Sequence, residues 1–251
     1  MSNDKDFLAT FARGLKVIKS FANEPRQTIS RTAERNGLSR SAARRFLLTL
    51  EELGYVANSG KQFTLTAKVL EFSYVYLSNL NYIDAIMPHL ERLSLSTKES
   101  CSASVLDDDS IVYIARLPIK RRLTINLQIG ARLPAYNTSM GRMLLSQLPD
   151  ESLNTILKEI ELEPNTPYSV TDKMDLHKLI IQARKDGFAI IDQELELGLR
   201  SVAAPVRNGF GVVLFAINIS CHSSTYNLAQ MQETLLPALL ACTRAIEKEL
   251  S

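Results

Sequence analysis

The stretch Leu38 to Tyr55, LSRSAARRFLLTLEELGY, gathers Arg40, Ser41, Arg44 and Arg45 onto what the spacing predicts is one short helix. Guanidinium groups clustered in this way can bond bidentately to phosphates or to the O6/N7 edge of guanine. Ser39 is suited to cap the helix and Gly54 to stop it. Advancing about 100° per residue from Arg40, the four polar residues fall in an arc of roughly 0 to 140°. Ala43, Phe46, Leu47, Leu50 and Leu53 fall opposite, at roughly 220 to 340°, and Leu48 alone is apolar on the polar side. One face can be buried while the other meets a polyanion, the layout of a helix lying in a DNA major groove. A solvated basic face is the plainer alternative, and the neighbouring elements decide between them.

A second set of polar residues lies further along. Asn218 and Ser220 share one face of a predicted strand whose other face is Phe215, Ile217 and Ile219. Polar side chains on such a strand need partners, supplied by a ligand or by neighbouring backbone. Ser139, Met140 and Gly141 open a helix whose unpaired N–H groups suit a carboxylate, or carry a plain N-cap. Arg132, Arg142 and Arg200 are the cations a bound carboxylate could use, with His222 a lesser candidate; spacing does not choose among them. His89 and His177 read as surface or packing residues.

Catalytic chemistry lacks its groups. There is no nucleophile elbow, Walker loop or HExxH pattern, and Gly209-Phe210-Gly211 reads as a hairpin turn. Cys101, Cys221 and Cys242 are too few and too scattered for a disulfide framework or a zinc site, and Asp107 to Asp109 reads as a solvated turn. No cofactor or metal is expected. An enzyme or small-molecule carrier whose N-terminal domain only oligomerises it is the alternative to a DNA-binding protein.

The elements around the arginines favour DNA. Of 251 residues, 45% are hydrophobic and 22% charged, the composition of a soluble protein of two modest domains. No apolar run could span a membrane and the N-terminus has no secretory pattern, so a cytoplasmic location is expected. The net charge of +2 conceals an asymmetry: residues 1–70 carry 12 Lys/Arg against 6 Asp/Glu, and the remainder is net acidic. Phe11, Leu15, Ile18 and Phe21 recur at helical spacing before Pro25, and Thr28 or Ser30 can cap a second helix ending at Asn36-Gly37. Helix, tight turn, arginine helix is the helix-turn-helix pattern. Residues 55–57 and 62–65 flank Asn58-Ser59-Gly60-Lys61 as a hairpin, a wing that would set Lys61 near a phosphate. Thr28 and Arg31 are further candidates for backbone phosphates.

From Thr66 to Asn81 the period is helical again, predicting a linker, and Ile83, Met87, Leu90 and Leu93 continue it. Beyond residue 100 the period becomes two, with strands predicted over 101–105, 111–115, 123–129, 188–192, 201–206 and 212–220. Helices are predicted over 139–148, from 150, over 172–185 and over 228–250. This mixture implies an α+β domain around an antiparallel sheet.

Several signatures, in order along nearly the whole chain, resemble the IclR family of bacterial transcriptional regulators. They are Phe11-Ala12-Arg13-Gly14-Leu15-Lys16-Val17-Ile18, Leu50-Glu51-Glu52-Leu53-Gly54-Tyr55, Gly130-Ala131-Arg132-Leu133-Pro134, Ser139-Met140-Gly141-Arg142, Asp192-Gln193-Glu194, Leu197-Gly198-Leu199-Arg200 and Ala204-Pro205-Val206. Ser41 to Leu47 and Thr166 to Asp172 are most similar to the PcaU/PobR branch, whose members sense protocatechuate or 4-hydroxybenzoate. The resemblance implies a winged helix-turn-helix over 1–66, a linker helix over 67–81 and a GAF-like α/β effector domain over 82–251. It implies a double-stranded DNA operator, a small aromatic acid effector, homodimers or homotetramers, and RNA polymerase as a further partner. It adds Asp192, Leu199 and Ser201 to the effector candidates and points again to Arg200. Two departures bear on the ligand: Leu199-Arg200-Ser201 stands where many relatives have Leu-Arg-Cys, and Asn218-Ile219-Ser220-Cys221 where they have Ser-Ile-Ser-Gly.

Overall fold

The computed structural model describes residues 6–22, 24–78, 80, 82–119 and 127–250. The chain divides into two compact units, Met1–Asn79 and Leu80–Ser251.

The first unit contains α1 (Ala9–Ser20), α2 (Ile29–Asn36), α3 (Arg40–Glu52), a hairpin of β1 (Val56–Ser59) and β2 (Gln62–Leu65), and α4 (Leu70–Ser78), which follows a 3-10 turn at Ala67–Val69. Thr28 caps α2 by accepting from the Arg31 N–H, and Ser39 caps α3 by accepting from the Ala42 N–H. Between them Gly37, at φ 64°, ends α2 in the left-handed region that favours glycine, so α3 can start three residues later. Val17, Phe21, Leu47, Leu50, Val56 and Phe63 form the buried core. Gln27 ties the elements together. Its backbone exchanges two hydrogen bonds with Phe63 of β2, while its buried side chain donates to the Ser20 carbonyl and accepts from Thr32 Oγ1.

Two expectations about the apolar faces fail. Leu53 stands 52% exposed; it lies at the edge of the apolar arc and follows the last turn of α3. Phe11 and Leu15 are also exposed, because the core takes Val17 and Phe21 from the C-terminal end of α1. Leu70, Phe72, Tyr74, Val75 and Tyr76 on α4 are exposed as well, so the unit carries apolar helix surface that its own fold does not bury.

The second unit is a six-stranded antiparallel sheet in the order β5-β4-β3-β8-β7-β6. Its strands are β3 (Ser100–Asp107), β4 (Ser110–Leu117), β5 (Arg132–Pro134), β6 (Ala189–Asp192), β7 (Leu199–Arg207) and β8 (Val213–His222). On one face α5 (Ile83–Thr97) and α10 (Leu236–Glu249) bury Cys101, Ala103, Val202, Ile217 and Ile219. Short α9 (Leu228–Gln230) and a π-helical turn at Met231–Leu235 precede α10, interrupting the helix expected over 228–250. The other face is covered by α6 (Ser139–Leu145), α7 (Asp150–Glu159) and α8 (Lys173–Asp186). The strand expected over 123–129 lies mostly outside the described residues; Leu127–Ile129 are not strand, and β5 pairs with β4 instead.

Every residue of α6 is buried, so its approach to the sheet is set by its smallest member. A Cβ on Gly141 would sit 2.3 Å from the Cα and carbonyl oxygen of Ala135, and backbone cannot yield as a flexible side chain can. Gly141→Ala should therefore destabilise the second unit by about 2 kcal/mol or more, as overpacking against a rigid wall does. Urea unfolding followed by circular dichroism measures this.

Candidate functional site

On the first unit, Arg40 and Arg44 of α3, Leu48 below them, Thr28 at the start of α2 and Asn58, Gly60 and Lys61 of the hairpin line one open groove of about 400 Å³. Arg45 and Ser41 are on α3 but not among the groove residues, and the Ser41 hydroxyl bonds to that of Ser39 at 3.0 Å. The arginines of this unit fall into two kinds. Arg31 donates to Glu24 at 2.7 Å and to Glu34 at 2.8 Å, and Arg35 reaches the same Glu24 at 3.1 Å. These bonds hold the Glu24 carboxyl below its ordinary pKa and raise that of Arg31. Arg40, Arg44, Arg45 and Lys61, by contrast, make no side-chain hydrogen bond or ion pair among the described residues. Their charge is uncommitted, whereas Arg31, one of the predicted phosphate contacts, is spoken for.

On the second unit, strand register builds a polar patch under α6. Residues directly opposite in an antiparallel pair share a face, as do residues two apart on one strand. Arg116 of β4 pairs with Ser102 of β3, and Ser102 with Asn218 of β8. One step along, Ser100 pairs with Ser220 and Ser220 with Ser201 of β7. The Asn218 amide donates to the Ser220 hydroxyl at 2.9 Å. Against this patch lies a partly open cavity of about 40 Å³ lined by Ser100, Ser102, Tyr113, Arg116, Ser220, Leu127, Leu195 and Glu196 from the turn before β7, and Leu199 at the start of β7. The Arg116 guanidinium lies 5.8 Å from the centre of the Tyr113 ring. Burial pushes the Tyr113 phenol up to about 12, against the opposing pull of Arg116, so it remains a neutral donor.

Two wall residues carry buried atoms with no hydrogen bond, Arg116 Nε and Glu196 Oε2, and Asn218 Oδ1 in the row beside them is in the same state. At and near the start of α6 both amide atoms of Asn137, the Ser139 hydroxyl and Arg142 Nε are also buried and unbonded. Leaving such a group unmet costs about 1–3 kcal/mol, so water or an occupant of the cavity finds partners there. At its present size it has room for a few waters, and an aromatic ring would have to displace a wall.

The three arginines predicted for a ligand carboxylate are all engaged elsewhere. Arg142 is buried and grips Glu194 with two bonds of 2.9 and 2.7 Å, and it also donates to the Tyr136 carbonyl. Arg132 is exposed and paired with Asp107. Arg200 holds Asp192 at 2.6 Å and donates to the carbonyls of Ser223 and Tyr226, so Asp192 is committed with it. His222 bonds to Ser224. The opening of α6 is partly occupied: Thr138, not Ser139, is the cap, its hydroxyl takes the Gly141 N–H, and Met140 Sδ accepts from Ser104, while the Ser139 hydroxyl is unbonded. Of the predicted residues, Leu199 and Ser220 line the cavity and Asn218 and Ser201 belong to the polar rows beside it. Arg116, Ser100, Ser102, Tyr113 and Glu196 were missed. The Ser100-x-Ser102-x-Ser104 alternation was the available signal for the serines, but Arg116 is aligned only by the pairing of β4 with β3.

Residues 10–60 match the IclR helix-turn-helix domain and residues 74–248 the C-terminal domain of bacterial IclR transcriptional regulators. The chain belongs to the IclR family. IclR proteins are transcriptional regulators, not enzymes, which removes the enzyme alternative. The chain is 39% identical to the Pca regulon regulatory protein of Pseudomonas putida, over 97% of this chain and 84% of that one. It is 34% identical to the p-hydroxybenzoate hydroxylase transcriptional activator of Acinetobacter baylyi, over 94% and 89%. The inducer-binding domain of an Acinetobacter PobR double mutant, solved with 3-hydroxybenzoic acid, is 27% identical with a TM-score of 0.61, over 65% of this chain and 96% of that one. Within the described residues no helix is long and apolar enough to cross a membrane, and no cluster of His, Cys, Asp or Glu could hold a metal.

In this IclR chain the Arg142–Glu194 pair fastens α6 to the turn that walls the cavity, and its worth can be measured. Arg142→Leu strands a buried carboxylate and should cost about 3–5 kcal/mol in a denaturation experiment, whereas adding Glu194→Leu should restore much of the loss.

Proposed function

We propose that the protein is a ligand-responsive regulator of aromatic-acid catabolism genes, reading a double-stranded operator with α3 and sensing a small aromatic carboxylate in the cavity lined by Ser100, Arg116, Glu196 and Ser220. The observation that carries this reading is the buried, partnerless Arg116 Nε and Glu196 Oε2 on the cavity wall, with Arg116 the one guanidinium among the described wall residues. The names of the relatives, which concern the pca regulon and p-hydroxybenzoate hydroxylase, support the choice of acid. Arg116 replaces Arg132, Arg142 and Arg200 as the carboxylate partner, with Asn218, Ser220 and Leu199 completing the site. Arg40 and Arg44 read the groove, Ser39, Ser41 and Arg45 flank it, and Thr28 and Lys61 take phosphates. The functional division follows residues 1–66, 67–81 and 82–251.

The apolar surface of α1 and α4 suits a second copy, giving a homodimer that can pair into a tetramer. RNA polymerase is a further partner, and the cytoplasm the place of action. A ligand acts by binding two arrangements of the assembly unequally, which shifts the population that engages DNA.

Fluorescence anisotropy with an operator selected from a random pool tests the DNA arm. Arg40→Ala and Arg44→Ala should each weaken specific binding by about 1–3 kcal/mol, and Lys61→Ala should flatten the salt dependence by about 0.9 in log–log slope, while Arg31→Ala changes little. Salt-independent binding that survives Arg40→Ala and Arg44→Ala would refute the reading. For the ligand arm, 4-hydroxybenzoate or protocatechuate at about 100 times its Kd should stabilise the protein by about 2.7 kcal/mol. Arg116→Gln should abolish that response and Arg132→Gln should leave it.

A further inference from the structure

The turn from Asp192 to Leu199 carries two glutamates whose circumstances differ sharply. Glu194 is met on both oxygens by Arg142, at 2.9 and 2.7 Å. Glu196, two residues on, lines the cavity, and its Oε2 is buried without a partner. Among the described residues Glu196 and Arg116 are the two charged side chains on the cavity wall, yet no ion pair joins them. An occupant that satisfies both must therefore present an anion to Arg116 and a hydrogen-bond donor to Glu196. A carboxylate accepts and does not donate, so a second anionic group on the occupant would meet like charge instead.

Resting on the aromatic-acid reading above, we propose that Glu196 is the specificity residue of this cavity. It accepts a hydrogen bond from a ring hydroxyl or amino group, so the protein selects hydroxylated aromatic acids over unsubstituted ones and rejects aromatic dicarboxylates. A charge-assisted bond of this kind corresponds to roughly a ten- to hundredfold preference.

Calorimetric titration of the full chain with benzoate, 3- and 4-hydroxybenzoate, 4-aminobenzoate and terephthalate tests this. In the wild type a hydroxybenzoate or 4-aminobenzoate should bind roughly ten- to hundredfold tighter than benzoate, with terephthalate weakest. Glu196→Gln keeps the shape of the side chain and offers a donor, so it should bring the hydroxybenzoate-to-benzoate ratio to within a few-fold and raise the affinity for terephthalate. Because the readout is a ratio within one variant, a general loss of stability does not move it. An unchanged ratio in Glu196→Gln, or a wild type that binds benzoate as tightly as its hydroxylated forms, would overturn the role of Glu196 and leave the aromatic-acid reading standing. Failure of every acid to bind the wild type would overturn both.

Discussion

The register of three antiparallel strands governs the second unit. Because β4, β3 and β8 pair as they do, Arg116, Ser102 and Asn218 stand side by side, with Ser100, Ser220 and Ser201 in the next row. A slip of one residue in β8 would turn Asn218 and Ser220 into the apolar face beneath α5 and α10 and bring Ile217 and Ile219 to the cavity. The opposite face, with Cys101, Ala103, Ile217 and Ile219 fully buried, makes that slip prohibitively costly. Burial on one side of the sheet thus pins polarity on the other. The β-bulge between Ala103 and Ser104 adjusts the pairing further, so that Ser104 faces Tyr113.

A parallel logic sorts the cations. In both units some arginines are consumed by structure: Arg31 and Arg35 by Glu24, Arg142 by Glu194, Arg200 by Asp192. Among the described cations without such partners, Arg40, Arg44 and Lys61 gather around one groove and Arg116 lines one cavity, so charge remains there for a partner. Functional sites are expected where a group's needs are not met internally, since the protein forgoes stability there.

Much of the first unit was legible in the sequence because its determinants are local. The caps at Thr28 and Ser39, the Gly37 turn and the two faces of α3 are separated by a few residues, and helical periodicity reads them directly. The exposure of Phe11 and Leu15 was not legible, since an apolar stripe does not say whether its cover belongs to the same chain. In the second unit the shared face of Asn218 and Ser220 followed from period two. The fate of the arginines did not, because their partners come from distant segments: Glu194 lies 52 residues from Arg142 and Asp107 lies 25 from Arg132. Arg116 went unnoticed for the same reason, being brought to the cavity by a strand pairing that no local pattern announces.

The central claim is that the polar rows beneath α6, with Arg116 as their cation, form the effector site of this IclR protein. A crystal structure of the full chain grown with 4-hydroxybenzoate tests it most directly. The ligand carboxylate should lie within about 3 Å of the Arg116 guanidinium, with the Leu195–Leu199 turn displaced to admit the ring. A carboxylate seated instead on Arg132 or Arg200, with Arg116 still unbonded, would contradict it.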